Sequence, residues 1–266
     1  MTQRATYVYC LVRSAEAPSL KGVPAGLPGV SAVRLLEVRK SGGDGKDGLW
    51  LAVADAPLPD YAAEAIEGRL QDLSWVSDRA LAHEAVIEFF LGRATVLPMK
   101  LFTLFSSEEK AQRDLAADVA RLHRVLDRVE GCSEWGVRVH LDEARAREAQ
   151  ARELRPGERD ASGTGFLLRK KREQEAARGL SARLRSEMDE VFAELARTAS
   201  DSLRRAPVPG EAGARLLLDG AFLVHSSHTA QFETGVQRCA ERLAGLGCEV
   251  TLTGPWPAYH FLEEKP

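Results

Sequence analysis

The most restrictive feature of this chain is the order in which its hydrophobic period changes beyond residue 130. Glu134 to Asp142, EWGVRVHLD, alternates as a half-buried strand does, with Trp135, Val137 and Val139 on one face and Arg138 and His140 on the other. A helical pattern follows from about Gly165 to Ser202, with Leu184, Met188, Val191 and Leu195 at 4-3-4 spacing. ARLLLDGAFLVHS, Ala214 to Ser226, is strand-like. His228 to Gly245 is an amphipathic helix with Phe232, Val236, Ala240, Leu243 and Ala244 inward, and Gly247 closes it. CEVTLTGP, Cys248 to Pro255, is a last strand. Strand, long helix, one or two strands, helix, strand is the order of the ferredoxin-like split βαβ arrangement. The 4-3-4 seam lasts only about two heptads, which favours packing on the chain's own sheet, or on the helix at 107–129, over a dimer zipper.

The first half is a looser version of the same idea. Thr6 to Val12, TYVYCLV, is a strand, and Pro18 to Gly29, punctuated by prolines and glycines, is a loop. Val30 to Val38 is a second strand. SGGDGKDG, Ser41 to Gly48, is a turn leading into LWLAVAD, so the two strands form a hairpin. From Pro59 to Gly92 the period is helical. Tyr61, Ala65 and Ile66 share one face, as do Ala82, Val86, Phe89 and Phe90, with a break at Asp72–Ser77 and Ser77 as the N-cap. TVLPMKLF, Thr95 to Phe102, is an edge strand or extended connector, because Pro98 has no N–H to give a ladder. Ser106 or Ser107 caps one helix running to about Val129, with the stripe Ala111, Leu115, Val119, Leu122, Val125 and Leu126, and Gly131 stops it. The fold class is therefore α+β in two domains, 1–130 and 131–266. Glu143 to Asp160 reads as a solvated, charge-dense stretch.

A chain of 266 residues exceeds what one core usually holds, which fits two domains. A net charge of −3 gives no bulk steering toward nucleic acid or an anionic membrane. No apolar run is long enough to cross a bilayer, and the N-terminus acquires charge too early for a signal peptide. Cys10, Cys132, Cys239 and Cys248 lack C-x-x-C pairing and read as small core residues of a reduced, cytoplasmic protein.

No constellation for catalysis stands out. There is no phosphate-cradling glycine motif, nucleophile elbow or H-E-x-x-H. His225 and His228 have metal-compatible i, i+3 spacing but no third ligand, and Ser227 reads as a helix cap. His83 lies beside Glu84 on a helix, as a partly buried histidine without a nucleophile. Arg169 to Arg172, RKKR, is followed by Glu173 and Glu175 and reads as a solvated helix face. The chain is read as a non-enzyme with no catalytic, cofactor or metal residues.

Four segments in order then carry a family likeness: VYCLVR near the start, LAHEAVIEFFLGRATVLPMKLFTLF, GCSEWGVRVHLDE, and LTGPWPAYHF at the tail. GTGFLLRKK, Gly163 to Lys171, adds to it. On these segments, from about Tyr7 to Phe261, the chain resembles the gas vesicle protein F/L family (GvpF/GvpL). The likeness departs at Phe102, where the family has a glycine, and at Ala258, where a second proline is common. The resemblance implies two α+β domains, the N-terminal one a modified ferredoxin-like fold. It also implies an accessory role in assembling gas vesicles, with contacts to the very hydrophobic shell protein GvpA and to other accessory proteins. Two alternatives stand beside it: a minor structural component retained on the shell, and a small-molecule-binding ferredoxin-like module. No oligomeric state is implied.

Two sets of residues are then of interest. The proline-broken segment suggests an imperfectly paired edge, with Leu97, Met99, Leu101 and Phe102 as partner-binding residues beside one face of the N-terminal sheet and the region between the domains. The tail residues Gly254, Pro255, Trp256, Pro257, Tyr259 and Phe261 read as a structural clasp, stiffened by proline. That reading places Trp256 in a buried site at the domain junction.

Overall fold

A computed structural model describes residues 3–40, 48–153, 163–206 and 214–263. The chain divides into two compact units, Met1–Gly131 together with Pro257–Pro266, and Cys132–Trp256. The tail, which the sequence groups with the second half, thus belongs to the first unit.

The first unit runs β1 (Arg4–Ser14), β2 (Arg34–Arg39), β3 (Gly48–Pro57), α1 (Leu58–Tyr61), α2 (Ala63–Glu67), α3 (Leu73–Phe90), β4 (Thr95–Pro98), β5 (Leu104–Phe105), α4 (Glu108–Ala116) and α5 (Val119–Val129). Its antiparallel sheet has the order β2-β3-β1-β4, with β5 also paired to β1. This is the ferredoxin-like strand order with the first helix missing. The prolines and glycines of Pro18–Gly29 forbid a helix there, and the loop packs Leu20, Val23, Leu27, Val30 and Val33 into the core instead.

The sheet is covered on both faces. Tyr7, Tyr9, Cys10 and Val12 of β1 pack with Val86, Ile87 and Phe90 of α3, whereas Val8 and Leu11 pack with Leu122, Val125 and Leu126 of α5. A bulge between Val8 and Cys10 lets Tyr9 and Cys10 reach the same core.

Two helix boundaries differ from expectation. Asp72, not Ser77, caps α3, its carboxylate accepting from the Trp75 N–H at 3.0 Å. The single helix expected at 107–129 is broken at Ala117–Asp118 into α4 and α5, with Ser107 as the cap of α4. Each short helix lays its own apolar patch on a twisted sheet, which one straight rod follows less closely.

The second unit runs β6 (Cys132–Asp142), α6 (Glu143–Glu153), α7 (Gly163–Ala196), β7 (Asp201–Arg205), β8 (Ala214–His225), α8 (Thr229–Ala244) and β9 (Cys248–Trp256). The sheet order β7-β8-β6-β9, all antiparallel, is that of a complete ferredoxin-like fold. Leu184, Met188, Val191 and Leu195 of α7 are buried in this unit's core with Trp135, Phe222 and Phe232. The 4-3-4 seam is spent on its own sheet.

Three local readings are corrected here. The long helix stops at Ala196, and Asp201 and Ser202 already belong to β7. Residues 143–153, read only as a solvated, charge-dense stretch, form a helix: Asp142 accepts from the N–H groups of Ala144 and Arg145, and Ala146 is buried while Glu143, Arg145 and Arg147 stay exposed. Ser227 does not cap α8; its own N–H is taken by His225 Nδ1, and its hydroxyl also bonds that ring. Residues 41–47, 154–160 and 207–210 lie outside the described residues, as do the side chains of Arg169, Lys170 and Arg172.

Candidate partner-binding surface

β4 and β5 both pair with β1, and the chain between them leaves the sheet edge and returns. The Met99 N–H donates to Tyr9 O at 2.9 Å, and the Val8 N–H donates to Thr103 O at 3.0 Å. Between these two ties the backbone turns through Phe102 at φ 65°, the left-handed region that favours glycine.

A chain of hydrogen bonds holds the turn from inside. The Phe102 N–H donates to the Tyr7 hydroxyl at 3.2 Å, which donates to His83 Nδ1 at 2.7 Å; His83 Nε2 donates to Met99 O at 3.0 Å. Only a neutral imidazole can accept at Nδ1 and donate at Nε2. Burial keeps the His83 pKa below its usual value, against the raising effect of the Met99 carbonyl. Burial likewise pushes the Tyr7 phenol upward. His83 is thus a neutral structural bridge from α3 to the edge turn.

Outside the turn lies an open cavity of about 510 Å³. One wall is Leu58, Tyr61, Ile66 and Glu67 of α1 and α2; the other is Phe102, Leu104 and Phe105. Phe102 also stacks on Trp75, ring centroids 5.5 Å apart. The Arg79 guanidinium sits 4.0 Å from the Trp75 ring centre and Arg69 sits 5.6 Å from it. Leu70, Leu73 and Leu81 on the same stretch are exposed, Leu73 by 78%.

Of the four residues expected at the partner surface, only Phe102 lines this cavity. Leu97 is buried in the core beneath α5, Met99 packs against that core, and Leu101 is half-buried. The alternation of β4 turns Leu97 inward, so the proline exposes less apolar surface than expected. Neither face of the N-terminal sheet is open, because helices cover both. Trp75, Arg69 and Arg79 were not singled out by sequence; the available signal was Arg79 four residues after Trp75 on one helix face.

The tail divides between the units. Gly254 has φ 121°, and a Cβ there would stand 2.8 Å from Glu134 O, so β9 needs glycine where it passes β6. Trp256 ends β9 opposite Glu134 and is 42% exposed. The burial expected for it is therefore corrected: the indole lies beyond the last core residues of β9. The packing is done by the residues after Trp256. Pro257 and Ala258 are buried, Tyr259 packs into the core under α3, Phe261 is 1% exposed, and Leu262 joins the core under α5. The Tyr259 hydroxyl donates to Glu84 at 2.7 Å, and Arg128 donates to Glu263 O at 3.2 Å.

Among the described residues no group of three or more His, Cys, Asp or Glu is placed to hold a metal ion, and no helix is long and apolar enough to cross a membrane. Two antiparallel sheets, one a full and one a modified ferredoxin-like unit, with an aromatic tail returning to the first, define a two-unit α+β protein. Two crystal structures share this fold over nearly the whole chain. One is the gas vesicle protein GvpF from Anabaena sp., at TM-score 0.67 and 17% identity, covering 99% of this chain and 98% of that one. The other is GvpF from Microcystis aeruginosa, at TM-score 0.62 and 14% identity, covering 98% and 99%. A gas vesicle protein L from a Streptomyces species is 30% identical over 267 residues, covering 98% of this chain and 93% of the relative. The family model for gas vesicle synthesis protein GvpL/GvpF matches residues 5–263. The chain belongs to the GvpL/GvpF gas vesicle protein family.

Proposed function

We propose that this protein is a cytoplasmic, non-enzymatic accessory factor of gas vesicle assembly. It binds the hydrophobic shell protein, a GvpA-like subunit, together with other accessory proteins, and holds shell subunits apart before they are incorporated. A subunit that coats a gas space carries apolar surface that aggregates when free, and a carrier needs an apolar surface that covers it reversibly. The observation that carries this reading is the open apolar cavity between α1–α2 and Phe102–Phe105, with Leu70 and Leu73 exposed on the chain that follows α2, in a chain of the GvpL/GvpF family.

The test is co-expression of the full-length chain with the shell protein. The expected result is that tagged full-length chain retains shell protein in the soluble fraction and co-purifies with it. Shell protein that pellets equally with and without the chain, and never co-purifies, overturns the reading. Fragments cut at residue 130 are unsuitable, because the first unit needs the tail after Trp256.

A further inference from the structure

Beside the cavity, against its lining residues Phe102 and Tyr61, lies a polar cluster that the apolar walls do not explain. Trp75 Nε1 and Arg79 Nε are both shielded from solvent and have no hydrogen-bond partner. Arg79 donates through another nitrogen to Trp75 O, at 3.1 Å. Arg69 is exposed and lies over the Trp75 ring. Among the described residues neither guanidinium makes an ion pair with a carboxylate, whereas Arg13, Arg34, Arg205 and Arg242 do. Donors are therefore gathered without an anionic acceptor, and buried donors left unmatched are costly. The cluster adjoins the cavity directly: Trp75 stacks on Phe102, and Arg79 sits 5.9 Å from the ring centre of Tyr61, both of which line it.

We infer that this cavity docks an apolar segment of a partner protein that carries a carboxylate, the apolar side chains lying between Tyr61, Ile66, Leu104 and Phe105 and the carboxylate meeting Arg69 and Arg79. Charge complementarity selects the occupant: two guanidiniums without a carboxylate beside the cavity call for an acid there, and the walls call for aliphatic side chains next to it. Glu67 also lines the cavity, and an acid placed beside it is repelled, so the partner's carboxylate is directed to the guanidiniums. Assigning the segment to the shell subunit rests on the function proposed above.

The test uses the full-length chain and two capped peptides, Leu-Val-Ala-Glu-Leu-Val-Ala and the same peptide with Gln for Glu, titrated by calorimetry. The Glu peptide is expected to bind about tenfold more tightly than the Gln peptide, as for one charge-assisted pair. The R69Q/R79Q variant is expected to bring that ratio to about one, while the Gln peptide binds as before. Arg69→Gln alone, at an exposed position, is expected to lower the ratio in part even if the double variant folds poorly. A ratio of one in the parent chain, or an undiminished ratio in both variants, overturns the inference. So does displacement of the Glu peptide by a short oligothymidylate, which would make the aromatic–arginine cluster a nucleic-acid site. A parent chain that captures shell protein but shows no Glu preference leaves the proposed function standing and removes this site. A chain that shows the preference but never captures shell protein overturns the shell-subunit assignment.

Discussion

The Tyr259 hydroxyl and the Glu84 carboxylate meet at 2.7 Å across 175 positions of sequence. Burial raises the Glu84 pKa, with a smaller push from Glu88, and the phenol's donation offsets part of it. The tail is thus pinned by a polar bond inside an apolar site, and the two parts of that pin are separable by mutation.

Phe261→Ala is expected to cost about 3–5 kcal/mol of unfolding free energy, the range for emptying a large buried aromatic site. Tyr259→Phe is expected to cost about 1–2 kcal/mol by withdrawing the donor from a partly buried carboxylate. Trp256→Ala, at a 42% exposed position, is expected to stay within about 1 kcal/mol. Urea denaturation of the three variants checks the order; a Trp256 effect as large as that of Phe261 would contradict the packing described.

The neutral His83 bridge gives a pH dependence of definite sign. Its pKa is depressed in the folded protein below the usual 6.5, so the unfolded chain binds the proton first. The stability that the bridge contributes is complete above about pH 6.5 and is lost as pH falls below it, by at most about 1.4 kcal/mol per pH unit for one group. Glu84, raised instead of lowered, works in the opposite direction nearer the carboxylate range. Denaturation midpoints between pH 7.5 and 5.5 should therefore fall in the parent chain, and fall less in His83→Gln.

Phe102 carries a non-glycine residue at φ 65°. Phe102→Ala keeps the backbone penalty and loses the stacking on Trp75, whereas Phe102→Gly loses the stacking and gains the permitted conformation. The glycine variant is expected to be more stable than the alanine variant by about 1 kcal/mol, measured by thermal or urea unfolding. Equal stabilities would mean that the turn relaxes when the ring is removed.

Much of the architecture was legible because period and turn chemistry agreed. Trp135, Val137 and Val139 lie inward on β6 as their alternation implies, and Leu184 to Leu195 mark the buried seam of α7. Boundaries were less legible where two residues compete for one role. Asp72 and Ser77 are both good caps, and the choice depends on where Trp75 and Arg79 stack. The candidate surface was legible only at Phe102. Leu97 and Met99 are as apolar as surface anchors would be, and only the pairing of β4 with β1 shows that they turn inward. The arginine–tryptophan cluster depends on the missing carboxylate partners, a spatial fact that spacing does not carry. In the tail, aromatic content alone left Trp256 indistinguishable from Phe261 until β9 was seen to end at the indole.

The return of the tail also sets an order of events during synthesis. The first unit's strands and helices are all made by Val129, yet its core keeps vacant places for Tyr259 and Leu262 until the whole second unit has been translated. A nascent or truncated chain ending before these residues exposes an unfinished core, and the N-terminal unit reaches its full stability only in a chain that has been read through to its last aromatic residues. Completeness of the polypeptide is thereby built into the folding of its beginning.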